Sequence, residues 1–373
     1  MMTAWFKRAR QTRTPVQGMQ SEAKSRKHGI YAAYRTLGAI EITAQLLLWI
    51  TLFCYDQTAH ASWQAVVLLL VPTALLWALW QAGRRGIHAR AGAFAGLVLV
   101  PCLVLDAAFL INTLTALMIE LIPSYSRPLH VLLSAGLCFL TVCVSRENGV
   151  AYGAGKMGIW FLGLFLLGSV FLSADANPGR LWPIWGQGIG KTAVTALSGM
   201  GSVWGVALLF FLPLENNRSL QKAARGIRIR DRKTLIGWTL LPWVLGLIWA
   251  LWFGMTHPWR SGDALSIGER LVGMARHSTS ILLCELNNVM WLLLLIFSLA
   301  GAAMSGEKLV RNAAPKIPRS AASAAVLLPG TLCTLIWPEW LFDALTVALP
   351  YRVALSAAAA LAMIVIAKKE ARA

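Results

Sequence analysis

Residues 181–214 read LWPIWGQGIGKTAVTALSGMGSVWGVALLFFLPL. A lead-in rich in Trp and Pro gives way to an apolar run about as long as the ~20 residues that cross a bilayer as a helix. Gly199, Gly201 and Gly205 stand inside that run, where each weakens a helix by about 1 kcal/mol relative to Ala. A helix that only fills membrane has no need of them. They serve either close helix contact or a local unwinding that frees backbone N–H and C=O groups for a ligand. Unwound backbone at membrane depth persists only where it is buried in protein or lines a cavity. Gly199, Gly201 and Gly205, with Ser202 beside them, are therefore the first candidates for a substrate-binding site.

The rest of the chain has the same character. It is 373 residues long, 57% hydrophobic and only 13% charged, with a mean hydropathy of +0.61. A soluble domain of that length carries about twice the charge. Ten apolar spans are expected, at about 37–56, 63–82, 93–121, 129–145, 157–173, 192–214, 234–254, 280–304, 320–338 and 349–367. The ninth is interrupted by Pro329-Gly330. The fold class is all-α, a polytopic membrane protein. Residues 1–36 form a basic N-terminal segment, 37–367 the transmembrane domain and 368–373 a tail. No apolar stretch precedes a cleavage site in the first 36 residues, so no cleavable signal peptide is expected.

Charge sets the sidedness. Of the 34 Lys and Arg, all but Arg127, Arg180, Lys191, Arg260, Arg270, Arg276 and Arg352 fall in the two terminal segments and the loops on the same side as the termini. That asymmetry puts both termini in the cytoplasm. The net charge of +18 is then a topology signal with anionic headgroups as its counterpart, and nucleic acid is not an expected partner. Trp63, Trp80, Trp182 and Trp337 lie near span ends, as interfacial anchors do. Ser266-Ile267-Gly268-Glu269 is a capping-box pattern opening a short amphipathic helix on the outer face.

Ten spans divide into five and five, and an odd number of spans per half makes the halves inverted in the membrane. That is the plan of a large class of secondary transporters, with sites at the midplane between the halves. Ionisable groups inside spans mark such sites. Asp106 is near the middle of the third span; Glu285 and Asn288, three apart, share a face of the eighth. If spans three and eight are equivalent, both acids flank one cavity. Glu41 lies about a turn inside the first span, within reach of water.

Other motifs are set aside on physical grounds. Gly186 to Thr192 lacks the first glycine of a phosphate loop, Trp185 standing there. Gly153-Ala-Gly-Lys-Met-Gly158 matches GxGxxG but lies between two membrane helices, not after a strand, so small-residue packing is the better account. Cys54, Cys102, Cys138, Cys143, Cys284 and Cys333 form no CxxC pair and read as small hydrophobes. The scattered histidines make no metal-ligand spacing. No enzyme, cofactor or metal is expected.

The stretch Leu181 to Ile189, followed by a helix with Gly205 and closing on Phe211-Leu-Pro213, resembles the permease-type subunit of spore nutrient-germinant receptors. That family falls within the amino acid–polyamine–organocation transporter superfamily and shows an "LPxxGxGI" lead-in before a helix ending in "LP". Ile119 to Pro123, Pro128, and the turn from Ser145 to Gly158 resemble further parts of it. The first span departs from the pattern, since Thr43 to Tyr55 contains neither Gly nor Pro, which makes this a divergent member. The resemblance implies a spore-germination subunit in the cell or spore inner membrane. It would sense a small nutrient such as an amino acid and act with other germinant receptor subunits. A secondary amino acid transporter is the alternative, and a membrane assembly component without ligand the third reading.

Overall fold

A computed structural model describes residues 15–53, 59–83, 90–145, 149–172, 176–181, 188–211, 228–256, 266–276 and 281–370. The described residues are helical with short connections, and no strand occurs among them. Thirteen α-helices follow in order: α1 Pro15–Phe53, α2 Ala59–Leu68, α3 Leu70–Gly83, α4 Arg90–Leu121, α5 Arg127–Val144, α6 Gly149–Leu172, α7 Ile189–Gly199, α8 Val206–Phe211, α9 Arg228–Thr256, α10 Ile267–Arg276, α11 Ile281–Ala313, α12 Arg319–Ile336 and α13 Pro338–Glu370. A 3-10 segment, Met200–Gly205, joins α7 to α8. Spans one to ten are then α1, α2 with α3, α4, α5, α6, α7 with α8, α9, α11, α12 and α13. Eight of them are long and apolar enough to cross a membrane by length and composition alone. Those eight are spans two to nine; the first and tenth expected spans fall on α1 and α13, and α13 carries a shorter apolar helix, Tyr351–Ile366.

Local chemistry explains several of these shapes. Pro72 has no N–H for the Leu68 carbonyl, and its ring crowds that carbonyl, so the second span breaks between α2 and α3. Pro128 sits in the first turn of α5, where a missing donor costs nothing. Ser266 Oγ accepts from the Glu269 N–H at 3.1 Å while Glu269 Oε2 accepts from the Ser266 N–H at 2.7 Å. That reciprocal capping box opens α10 where the sequence placed it.

Three expectations need correcting. Pro329-Gly330 does not interrupt the ninth span: α12 runs through it, and a Cβ on Gly330 would stand 3.0 Å from the Ala108 backbone nitrogen of span three. The glycine is a contact point. The tenth span starts at Pro338, about eleven residues before the expected 349, because Pro at the first helical position nucleates α13. Trp80 is no interfacial anchor; it is fully buried and donates from Nε1 to Ser356 Oγ at 3.0 Å. Trp63 is half-buried and Trp337 exposed. Trp182 and the lead-in at 182–187 lie outside the described residues, as do Cys54 and residues 1–14.

Helix packing displays the five-plus-five plan. Span one packs on seven as six packs on two, and one on five as six on ten. Span three packs on four, nine and ten as eight packs on nine, four and five, and spans three and eight pack on each other. Each pair turns into its partner when the two halves are exchanged. Span one also packs on eight, while six on three is not packed to the same extent. In span one, residues 37–52 are buried throughout, so this helix is the core of the bundle. Glycines of α6 admit it closely: a Cβ on Gly158 would meet Thr36 Cγ2 at 3.1 Å. Outward, Leu75, Val144, Ile159, Trp160, Leu328 and Tyr351 are exposed apolar surface of the kind that faces lipid.

Candidate functional site

Five helices bring polar side chains together inside the bundle. Asp106 stands midway along α4 and is 0% exposed, and Arg352, midway along α13, is 1% exposed. Arg352 Nη1 donates to Asp106 Oδ1 at 2.6 Å. The same oxygen accepts from Gln45 Nε2 of span one, also at 2.6 Å, and that amide nitrogen lies 3.4 Å from Glu41 Oε1 one turn earlier. Glu41 is 0% exposed, contrary to the expectation that it reaches water, because span one lies at the centre of the bundle; its Oε2 accepts from Ser298 Oγ, midway along α11, at 2.5 Å. Trp204 of the 3-10 segment lies with its ring 5.6 Å from the Arg352 guanidinium carbon, within cation–π range. Cys102 precedes Asp106 by one helical turn and is also buried.

An ion pair in this position is costly to desolvate and is tolerated only with good geometry and further hydrogen bonds. Part of the hydrogen-bonding capacity here is unspent. Asp106 Oδ2, Arg352 Nε, Arg352 Nη2 and Trp204 Nε1 are buried without a partner. Native proteins leave few such groups, and in a membrane interior ionisable ones mark sites and pathways.

The glycine segment borders this cluster and is packed shut. Residues 201–210 are all buried. A Cβ on Gly199 would stand 2.6 Å from the Trp49 ring and 2.8 Å from Leu69 Cδ1, and one on Gly205 3.0 Å from Ile42. Both glycines therefore serve close helix approach. Ser202 Oγ donates to the Gly199 carbonyl at 2.7 Å. The span is interrupted all the same, because Met200–Gly205 changes from α to 3-10 winding. Such a mid-helix change is a common mark of a hinge. Glu285, by contrast, is exposed near the start of α11 and Asn288 half-buried, so Glu285 and Asp106 do not share one buried cluster.

Gln45, Ser298, Arg352 and Trp204 are the members the sequence reading missed. Gln45 is four residues from Glu41 within an apolar span, which was a legible signal. Arg352 was hidden by the late start assumed for the tenth span. Ser298 and Trp204 carried no signal.

The bundle is closed at both ends of the cluster. Toward the N-terminus of span one, a Cβ on Gly301 would stand 3.5 Å from Glu41 Oε2 and from Leu37, and Lys308 Nζ lies 3.5 Å from the Tyr34 ring centroid. Toward its C-terminus, Trp49 Nε1 donates to Ser198 Oγ at 3.1 Å and Trp249 Nε1 to Thr51 Oγ1 at 3.0 Å. Arg270 Nη1 of α10 caps the Leu52 carbonyl at 2.6 Å. Among the described residues no three His, Cys, Asp or Glu side chains converge to hold a metal ion.

No protein-family model matches the chain, and no curated protein matches it. Solved structures do. A manganese transporter of Eremococcus coleocola, in complex with an aromatic bis-isothiourea substituted compound, is similar with a TM-score of 0.55 at 12% identity, over 90% of this chain and 76% of that one. Mhp1 in an inward-facing conformation is similar with a TM-score of 0.54 at 14% identity, over 90% and 75%. At such identities the likeness is one of fold. The chain is an all-α, polytopic membrane protein with the fold of membrane transporters.

Proposed function

We propose that this protein recognises a small polar nutrient, an amino acid first, at the buried cluster around Asp106 and Arg352, and that it does so as a sensor of the germinant-receptor permease type. The observation that carries recognition is a buried ion pair with unspent donors and acceptors between the two halves of a transporter-type bundle. Binding near the midplane between halves is what this architecture serves. The 3-10 segment supplies the movable part: winding and unwinding Met200–Gly205 would displace Trp204 from Arg352. The glycines and Ser202 then act through this hinge, and Asn288 and Glu285 stand at the entrance of α11. Sensing requires only that the solute bind one arrangement of the bundle more tightly than another.

The resemblance of Leu181 to Pro213 to germinant-receptor permeases favours sensing, with partner subunits reading the bundle's conformation and both termini in the cytoplasm. Transport of the same solute is the second reading, favoured by the transporter fold. Purified protein in proteoliposomes separates the two. A sensor binds labelled amino acid without accumulating it, whereas accumulation driven by an ion gradient would establish transport. If no solute in a broad nutrient panel raises the melting temperature, recognition itself is wrong and an assembly role stands.

A further inference from the structure

We infer that the closed bundle holds a proton: Glu41 is a neutral carboxylic acid that shares its proton with Asp106, and this proton lets span one close on span eight. The inference concerns a ligand other than the solute proposed above and stands or falls without it. Two carboxyl groups and one guanidinium are buried together, with Glu41 and Asp106 0% exposed and Arg352 1%. The guanidinium is committed to Asp106 at 2.6 Å. With both acids ionised, a site sealed from water would carry one uncompensated negative charge. An acid in that position neutralises instead, and two carboxyl groups that share a site ionise one at a time.

Atom by atom, the proton has one place. The two carboxyl groups are neighbours, and Gln45 Nε2 lies between them, 2.6 Å from Asp106 Oδ1 and 3.4 Å from Glu41 Oε1. Ser298 Oγ donates to Glu41 Oε2, which leaves Oε1 to carry the proton. Asp106 Oδ2 is buried with no donor, and an O–H on Glu41 is the donor it lacks.

Among the described residues, the other charged groups on elements packed against span one lie elsewhere. Arg35 precedes Glu41 by six residues, about 9 Å along the helix axis, and Arg270 of α10 caps the far end at Leu52. On α11, Glu307 is engaged by Arg311 and Arg319, and Lys308 lies over Tyr34. Tyr152 and Lys156 of α6 and Lys191 of α7 are exposed. The basic start of α9 ends at Lys233, thirteen residues before the Gly246 that packs on Leu46. Residues 192–211 and 236–256 contain no titratable side chain. On α4 the remaining neighbour is the Cys102 thiol.

Glu41 also stands in the contact between spans one and eight, bonded to Ser298 and 3.5 Å from the Cβ position of Gly301. Spans six and three are not packed to the same extent, so closure at this contact is particular to span one. Loss of the proton would leave a charge between packed helices; separating them would let water reach it. The closed arrangement therefore binds one proton more than an opened one, and acid favours closure.

The test uses the purified full-length protein and two readouts. Infrared spectra near neutral pH should show the C=O stretch of a protonated carboxylic acid, shifted in D2O and lost in Glu41→Gln. That variant copies the neutral acid in shape, so it should fold and melt like the wild type at acid pH. As the pH rises, the wild type alone should lose melting temperature, its closed-to-open ratio falling by up to about tenfold per pH unit, the limit for one proton. Absence of a protonated carboxyl band in the unmodified protein near neutral pH would overturn the inference, whether or not a variant folds. So would a band that persists in Glu41→Gln, or a Glu41→Gln melting profile with the same pH dependence as the wild type.

Discussion

Removing Asp106 strands a guanidinium that is 1% exposed, and breaking a buried pair at one partner costs about 3–5 kcal/mol. Asp106→Ala should therefore lower the melting temperature sharply and reduce expression. Replacing both partners with apolar residues, as in Asp106→Leu/Arg352→Met, should restore much of the loss, since a well-packed apolar pair often equals a buried ion pair in stability. Melting curves of the two single variants and the double variant check this. Additive losses would show that the two residues do not act as a pair. Ser298→Ala is a milder case. It takes one hydrogen bond from the buried Glu41 carboxyl group, a loss of about 1–3 kcal/mol.

At the scale of an element, the sixth span is where glycine has a measurable role. Gly199→Ala places a Cβ against the Trp49 ring, which is itself pinned to Ser198. Overpacking of this kind costs typically 1–3 kcal/mol. Gly163→Ala in α6 meets nothing within 4 Å, so it should be neutral or stabilise by up to about 1 kcal/mol through helix propensity. Comparing the two by thermal melts separates a packed contact from an ordinary helical glycine. On α10, Ser266→Ala breaks the capping box and should cost about 0.5–2 kcal/mol of local stability, seen as faster amide exchange in that helix with the rest of the bundle unchanged. The capping box joins residues three apart, the range over which sequence patterns are informative, whereas the Gly199 contact is made with a facing helix and lies outside that range.

For the whole molecule, the closed bundle predicts a gated thiol. Cys102 is 1% exposed and a turn from Asp106. In a variant retaining only that cysteine, labelling by a water-soluble thiol reagent should be slow, and its rate should shift several-fold when a stabilising solute is added. Fast labelling that ignores every solute would show that the cluster is open to water at all times. Sidedness is checked with reporter fusions. Fluorescent-protein fusions at both termini should be active in the cytoplasm, as the placement of Lys and Arg requires; an active periplasmic-type reporter at either end would refute that topology.

Residue order alone determined the helical membrane class, the approximate spans and the capping box, because these depend on apolar length and on neighbours three or four residues apart. It also singled out Asp106, because an acid amid uninterrupted apolar residues is conspicuous in one dimension. Tertiary structure alone decided what Asp106 meets. Its guanidinium partner is 246 residues away, on a helix whose start at Pro338 determines whether Arg352 lies at an edge or in the interior. The glycines of the sixth span were ambiguous for the same reason: whether a missing side chain admits a ligand or the Trp49 ring depends on what the folded chain places opposite it.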